Sequence, residues 1–292
     1  MDPLRKPHWL QKKINPGAHG EMEGLLSELR LETVCQQAHC PNITECFSRS
    51  QATFLILGRI CTRHCSFCNV SKEAPRPPDP QEPGNVAQAV QRLKLAHVVV
   101  TSPTRDDLPD GGAAHFAETV RQIRRASPET AVELLVPDFA GDEGALSVVL
   151  QSAPEILGHN LETVPRLYFI RAGADYGRSL QLLARAHQLA PQLKTKSGLM
   201  LGLGEEEEEL FAVLEELRAT GCSYLSLGQY LAPSRQHYPV QRYLEPELFE
   251  RYREKALSLG FLHVESAPYV RSSYHAQDYE SKRIGRNRCR PE

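Results

Sequence analysis

The chain has 292 residues, with 34 Lys and Arg against 36 Asp and Glu and 41% apolar residues. That length suits one large α/β domain or two smaller ones, and a net charge of -2 offers no basic surface for nucleic acid or an anionic membrane. No apolar run is long enough to cross a bilayer and the first residues lack the apolar core of a signal peptide, so a cytoplasmic address, where thiols stay reduced, is expected.

Leucines 25, 26, 29 and 31 recur at helical spacing and predict a helix over Glu21–Leu31. Three cysteines follow, Cys35, Cys40 and Cys46, written C-x4-C-x5-C. A β-rich run comes next at Thr53–Leu57. Directly behind it stands a second triplet, Cys61, Cys65 and Cys68, written C-x3-C-x2-C. The proline-rich stretch 74–83 reads as an extended loop leading into a helix. Further strands are expected at His97–Thr101, Ala131–Val136, Glu155–Leu157, Gly198–Leu203 and Tyr224–Leu227. Helices are expected at Asn85–Leu95, Gly112–Ala126, Gly144–Ser152, Arg178–Leu189, Glu206–Ala219 and Glu245–Leu259. Strands alternating with helices predict an α/β fold, a parallel sheet with helices outside it. A closed barrel takes eight units and roughly 250 residues; six units predict a partial, open one. On this reading residues 1–50 are an N-terminal extension carrying the first triplet, 51–265 the partial barrel, and 266–292 a C-terminal extension with a basic tail.

In a reducing compartment, clustered cysteines point to metal or redox chemistry rather than disulfides. Three thiolates can hold three corners of an iron–sulfur cubane and leave the fourth iron open to a ligand. The second triplet follows a strand end, where parallel α/β barrels carry their chemistry. Its rival reading is a zinc knuckle, but zinc sites use paired C-x2-C units and four protein ligands. Bacterial ferredoxin spacing is x2-x2, which also differs. Cys222 reads as a buried, inert thiol and Cys289 as a free thiol in the tail.

The second triplet, with Phe67 just ahead of Cys68, resembles the signature of the radical S-adenosylmethionine (SAM) enzymes. The resemblance implies a partial (β/α)6 TIM-like radical SAM barrel with N- and C-terminal extensions. It also implies a [4Fe-4S] cluster on Cys61, Cys65 and Cys68 whose open iron binds SAM, and reductive cleavage of SAM to methionine and a 5′-deoxyadenosyl radical. The run Thr33–Cys46 resembles the auxiliary-cluster motif of the lipoyl synthase family. The likeness continues through TSPTRDDLPDGG (101–112), HNLETV (159–164), GADYGRSL (173–180), KSGLMLGLGE (196–205), LGQYLAPSRQHYP (227–239) and VRSSYHA (270–276). It covers about Lys6 to Asp278. Biotin synthase shares the second type of triplet but lacks the N-terminal C-x4-C-x5-C.

That resemblance implies a second [4Fe-4S] cluster, on Cys35, Cys40, Cys46 and a serine of the Arg271-Ser272-Ser273-Tyr274 motif, Ser273 being favoured over Ser272. It implies a sulfurtransferase that inserts two sulfur atoms at C6 and C8 of a protein-bound octanoyl-lysine, with the auxiliary cluster as sulfur source. The implied partners are an octanoylated lipoyl-carrier domain (a 2-oxoacid dehydrogenase E2 or the glycine cleavage H protein), a reduced ferredoxin or flavodoxin, and cluster-repair proteins, with the enzyme as a monomer. The rivals are a two-cluster radical SAM enzyme acting on another chain and an iron–sulfur scaffold without SAM chemistry.

Candidate SAM contacts are Phe67, which stands at the aromatic position of the resembled signature, and Thr101, Ser102, Asn160, Glu162 and Arg178, which fall at strand or helix ends on the chemical side. Gly202 and Gly204 read as a turn needing positive φ as readily as a SAM contact. The run Glu205–Glu209 reads as a solvated helix start. Asp106, Asp107 and Asp110 read as an acidic loop rather than a metal site, and His39, His159 and His275 as local hydrogen-bonding residues.

Overall fold

The computed structural model describes residues 5–11, 20–49, 51–274 and 276 of the chain. Its centre is an eight-stranded sheet in which the strands neighbour one another in chain order. They are β1 (Glu32–Thr33), β2 (Thr53–Leu55), β3 (His97–Thr101), β4 (Ala131–Leu135), β5 (Ile156–Gly158), β6 (Lys194–Leu201), β7 (Tyr224–Gln229) and β8 (His263–Ala267). The first pair is antiparallel and every later pair is parallel. No pairing joins β8 back to β1 among the described residues, so the barrel is open.

Among the described residues, three short helices precede or flank the first strands: α1 (Gly20–Glu28), α2 (Val34–Gln37) and α3 (Ile43–Ser48). Six more each follow one parallel strand: α4 (Glu82–Leu93), α5 (Ala113–Ala126), α6 (Glu143–Gln151), α7 (Tyr176–Leu189), α8 (Glu207–Ala219) and α9 (Pro246–Ser258). This is the expected set of six βα units, with β8 added as a further parallel strand and β1 as an antiparallel edge. No helix among the described residues is long and apolar enough to cross a membrane.

The sequence explains why these elements form. The β-branched run of β3 is buried from Val98 to Thr101, as expected of a parallel strand covered on both faces. In α5, Phe116, Val120 and Ile123 fall on one helical stripe and are fully buried. In α8, Leu210, Val213, Leu214 and Leu217 do the same. Asp142 caps α6 through the Gly144 and Ala145 amides, and Asp175 caps α7 through the Arg178 amide.

Several boundaries shift by a few residues, and three departures from the sequence reading have a clear physical reason. Helix α4 starts at Glu82 rather than Asn85, with Pro83 in its first turn, where the missing amide hydrogen costs nothing. Glu82 is buried there, accepting from the Leu57 amide at 2.7 Å and lying 2.8 Å from His115 Nε2. Strand β6 begins at Lys194, ahead of the expected Gly198. Its polar start is internal because Lys196 Nζ donates to Glu133 Oε1 at 2.9 Å, with both side chains almost fully buried. Burial pushes the Glu133 carboxyl up, but Lys196 and His97 outweigh it and hold it below the usual range. Strand β8, with His263, Glu265 and Ser266, is mostly half-buried and carries no apolar run to announce it.

Candidate active site

Strand β2 delivers the second triplet. Beyond it the chain passes Leu57 and Gly58, at φ 66° and 80°, and reaches Cys61. Three backbone bonds pin the loop: Cys61 N to Ser71 O at 2.8 Å, Thr62 N to Thr104 O at 3.0 Å and Ser66 N to Ile170 O at 2.9 Å. Thr104 lies just beyond β3, and Ile170 ends the 3-10 helix Pro165–Ile170 that follows β5. The loop therefore lies across the C-terminal strand ends.

Arg63, between Cys61 and Cys65, is the clamp of this loop. Its guanidinium donates to Asp106 at 2.8 and 2.9 Å and to Asp138 at 3.0 and 2.7 Å. Asp138 also accepts from Arg178 Nε at 2.8 Å. Burial would raise the Asp138 carboxyl, but the two guanidiniums and the Ala140 amide hold it far below the usual range. Arg171 is a second cation here, donating to Leu161 O at 3.1 Å and to Tyr168 Oη.

The first triplet is set by β1 and two short helices. Thr33 caps α2 by accepting from the Gln36 amide at 3.3 Å. Helix α2 carries Cys35, the turn after it carries Cys40, and α3 carries Cys46. Asn42, buried beside them, donates to Tyr269 O at 2.7 Å. Past β8 the chain crosses β7, where Gly228 leaves room. A Cβ at Gly228 would meet Val270 O at 2.1 Å. The crossing segment is then tied down at four points. Besides Asn42 to Tyr269, Asn160 Nδ2 donates to Ser272 Oγ at 2.6 Å, Thr53 Oγ1 to Ser273 Oγ at 2.5 Å, and Tyr274 Oη to Glu45 Oε1 at 3.2 Å.

Two adjoining cavities result. A small one of about 40 Å³ is lined by Cys35, Cys40, Cys46, Ser273, His97 and Arg271, among others. A larger one of about 420 Å³ is lined by Phe67 and Cys68 from the second-triplet loop and by Cys35, Cys40, Ser272 and Ser273, among others. That volume is in the range of ligand pockets. Thr101, Asn160 and Glu162 also line it. Glu162 sits at φ 67°, a conformation that costs a non-glycine residue and concentrates at functional sites. Burial raises its carboxyl, with Arg171 and Asn160 opposing.

The donor set fits iron–sulfur groups. Burial pushes Cys35 up to about 11, with Cys40 adding to it, and Cys68 up to about 11. It raises Cys65 too, Arg171 opposing. These thiols need a bound metal to become thiolates, and metal coordination deprotonates a thiol outright. Among the described residues no three His, Cys, Asp or Glu close around a single metal ion.

Two candidate contacts stand elsewhere. Arg178 pairs with Asp138 and donates to Gly173 O at 2.8 Å, away from the larger cavity's lining. Ser102 is outside that lining as well, and its buried hydroxyl has no hydrogen-bond partner. The acidic loop is a set of partners and caps: Asp106 holds Arg63, Asp107 holds Arg105, and Asp110 accepts from the Gly112 and Ala114 amides. Gly202 and Gly204 take φ 93° and 109°, and Glu206 with Glu209 forms the capping box of α8. Cys222 is fully buried, its thiol pushed up to about 12 by burial. Cys289 and His275 lie outside the described residues. The sequence reading did not single out Arg63, Asp138, Arg171, Thr53 or His97. Their roles come from residues distant in sequence, so no local spacing marks them.

Comparison with known proteins decides the family. The Radical SAM superfamily is matched over residues 55–217. The lipoyl synthase of Citrifermentans bemidjiense is 75% identical over 283 residues, 97% of each chain. That of Geobacter sulfurreducens is 67% identical over 279 residues, 96% of this chain and 92% of that one. That of Alkaliphilus metalliredigens is 54% identical over 280 residues, 95% and 97%. The chain belongs to the lipoyl synthase family. It is therefore a radical SAM enzyme of the sulfurtransferase class, and the superfamily implies a [4Fe-4S] cluster and SAM. Membership sets aside the zinc-knuckle and scaffold readings. Methylornithine synthase (PylB) has the same fold at 14% identity and a TM-score of 0.54, covering 92% of this chain and 93% of that one. Streptococcus suis SuiB bound to its precursor peptide gives 10% identity and 0.55, covering 91% and 57%. These two speak for the fold alone.

Proposed function

We propose that this enzyme inserts two sulfur atoms at C6 and C8 of an octanoyl-lysine carried on a lipoyl-carrier domain. In this reading Cys61, Cys65 and Cys68 hold the SAM-binding [4Fe-4S] cluster, and Cys35, Cys40, Cys46 and Ser273 hold an auxiliary one. The observation that carries it is the pair of adjoining cavities: three cysteines and Ser273 share the small one, and the larger one runs from there to Cys68 and Phe67. Ser272 lines only the larger cavity, while Ser273 lines both, which supports Ser273 as the ligand.

When bound, the clusters and SAM supply the electron, the hydrogen-abstracting radical and the sulfur. The chain's own residues hold and orient. Arg63, gripped by Asp106 and Asp138, fixes the loop that presents Cys61, Cys65 and Cys68. Phe67 forms an apolar wall. Asn160 and Glu162 offer an amide and a carboxylate to the amino and hydroxyl groups of SAM, and Thr101 stands at the end of β3 beside them. Val270, Arg271, Ser272 and Ser273 of the crossing segment supply part of the cavity's lining. Ser273 provides oxygen where the other ligands provide sulfur. A hard oxygen suits iron in a soft cluster less well, so Ser273 would hold its iron more weakly than the three cysteines would hold theirs.

The carrier is an E2 domain of a 2-oxoacid dehydrogenase or the glycine cleavage H protein, and a reduced ferredoxin or flavodoxin supplies electrons. Cluster-repair proteins rebuild the auxiliary site. The enzyme works as a cytoplasmic monomer, with residues 1–50 and 266–292 as extensions of a barrel at 51–265. The test is anaerobic reconstitution followed by counting iron and sulfide per chain. About eight irons falling to about four in Cys35/Cys40/Cys46→Ala, as two cubanes require, is expected, with SAM-dependent sulfur transfer to an octanoyl-lysine peptide in the unaltered chain alone. Four irons or fewer in the unaltered chain, unchanged by the substitution, overturns the two-cluster reading.

A further inference from the structure

Ser66 stands between Cys65 and Cys68, and its backbone is bonded on both sides. Its amide donates to Ile170 O and its carbonyl accepts from the Tyr238 amide, both at 2.9 Å. Phe169, the neighbour of Ile170, packs edge-on against the Tyr238 ring, with centroids 6.1 Å apart. Phe169 is nevertheless 72% exposed, more than any other large apolar side chain among the described residues. Tyr238 O also accepts from Tyr230 Oη at 2.7 Å, and Tyr230 lines the larger cavity together with Cys68. An exposed aromatic pair is thus joined by single hydrogen bonds to the backbone that presents Cys65 and Cys68.

The segments that meet there carry one sign of charge. Residues 59–72, 163–174 and 223–244 contain seven Lys and Arg and no Asp or Glu, in a chain whose net charge is -2. Arg63 and Arg166 are already paired, with Asp106 and Asp138 and with Glu209. Lys72, whose ammonium donates to Cys65 O at 3.3 Å, and Arg235, in the turn closed by the His237 amide on Ser234 O, are exposed and have no carboxylate partner among the described residues. Ile60 pairs with Ser71, so exposed Arg59 lies at the same end of the loop as Lys72, where the two outnumber Glu73.

A single exposed apolar side chain needs no explanation. An aromatic pair set among unpaired cations has the make-up of a docking patch, in which aromatic anchors hold and charge steers the approach. What docks is decided by where the patch leads. None of Phe169, Tyr238, Lys72 and Arg235 lines the larger cavity, so an acyl chain delivered here would not reach the proposed reaction site. An electron needs only proximity to the cluster, because its transfer falls steeply with distance. We propose that this face docks the one-electron donor, a small acidic flavin or iron–sulfur protein, with Phe169 as the anchor and Lys72 and Arg235 guiding it in. One electron leaves the reduced donor and enters the cluster on Cys61, Cys65 and Cys68; no bond forms or breaks. The inference rests on that cluster and on the class of donor proposed above.

The test uses the full reconstituted chain with two probes, a flavodoxin and a bacterial ferredoxin, each compared with dithionite, a chemical reductant that needs no docking face. Calorimetry reads binding of the oxidised donor, and SAM cleavage is followed under each reductant. Phe169→Glu and Arg235→Glu should each bind the donor about tenfold more weakly and slow donor-driven SAM cleavage. Arg235→Glu should also flatten the loss of binding with added salt. With dithionite both should match the unaltered chain, which shows that they fold and hold their cluster. Donor binding and donor-driven cleavage unchanged in both variants overturns the inference and leaves the class of donor standing. Weaker binding of an octanoylated lipoyl-carrier domain, with both electron donors unaffected, also overturns it and gives the face to the substrate. No binding or SAM cleavage with either donor in the unaltered chain, while dithionite works, overturns the donor reading and the inference together.

Discussion

Gly228→Ala tests whether the C-terminal segment completes the auxiliary site. A methyl group on Gly228 would stand 2.1 Å from Val270 O and 3.0 Å from its carbonyl carbon. These are backbone atoms, which cannot swing aside as a side-chain tip can. The segment must retreat by about 1 Å to reach an ordinary contact, an overpacking that costs about 1–3 kcal/mol. If it lets go instead, the four hydrogen bonds from Asn42, Thr53, Asn160 and Tyr274 are lost. At about 0.5–1.5 kcal/mol each, that is about 2–6 kcal/mol of docking. Either way Ser273 moves from the small cavity. Iron per chain should fall from about eight toward about four, and protease should cut beyond residue 267 faster than in the unaltered chain. Gly24→Ala is the control. It lies in α1 with nothing within 4 Å of the added methyl and should leave iron unchanged while stabilising the helix by about 0.5–1 kcal/mol. A Gly228→Ala chain with about eight irons and unaltered cleavage would refute the reasoning.

The two serines should separate. Ser273→Ala is expected to lower auxiliary iron retention under turnover, and Ser272→Ala to leave iron intact but weaken SAM binding by freeing Asn160; the reverse pattern would assign the ligand to Ser272. Asp138→Asn strips charge from a carboxylate facing two guanidiniums and should cost about 3–5 kcal/mol, as for a broken buried pair. The Asp138 carboxyl is held below its unfolded value of about 3.9, so it is ionised in both states above that range. The penalty should therefore stay constant from pH 5 to 8 and shrink only as pH falls below the usual carboxylate range; a change between pH 5 and 8, read from denaturant midpoints, would contradict this. Burial first, and Arg171 next, lower buried His159 to about 4. Its contribution should be complete above the unfolded value of about 6.5 and be lost as pH falls toward 4, at up to about 1.4 kcal/mol per pH unit. His159→Gln should flatten that slope, and an equal slope in both chains would count against it.

The sheet was legible where side chains follow its period and hidden where they are satisfied by distant partners. His97–Thr101 is read correctly because its β-branched residues are buried. The start of β6 is missed because Lys196 looks like a surface residue until Glu133, 63 positions away, is placed beside it. Both cysteine triplets stand out because ligand spacing is local. Arg178 illustrates the opposite case: a cation at a helix start reads as a ligand group, and only the fold shows Asp138 paired with it. Asp138 itself gives no local sign, since its two partners come from the Cys61–Cys68 loop and from α7. His97 reads as an ordinary strand residue, and only the fold sets its ring against Glu133 and in the lining of the cavity shared by the first triplet.

The segment 268–274 gives the two halves of the site a mechanical connection. Ser272 is held by Asn160, whose amide also donates to Glu162 Oε1 at 3.1 Å on the proposed SAM side. Ser273, the next residue, is held by Thr53, which also hydrogen-bonds Cys35 on the auxiliary side. Neighbouring residues of one crossing strand cannot move independently by more than a fraction of their 3.8 Å spacing. A ligand that draws Asn160 toward itself therefore pulls on Ser272, and through it on the oxygen of Ser273. The same coupling runs backward: a shift of Ser273 loosens Ser272 and frees Asn160. Gly228 sets the height at which this segment rides over β7, so it sets how tightly the two sites sense each other.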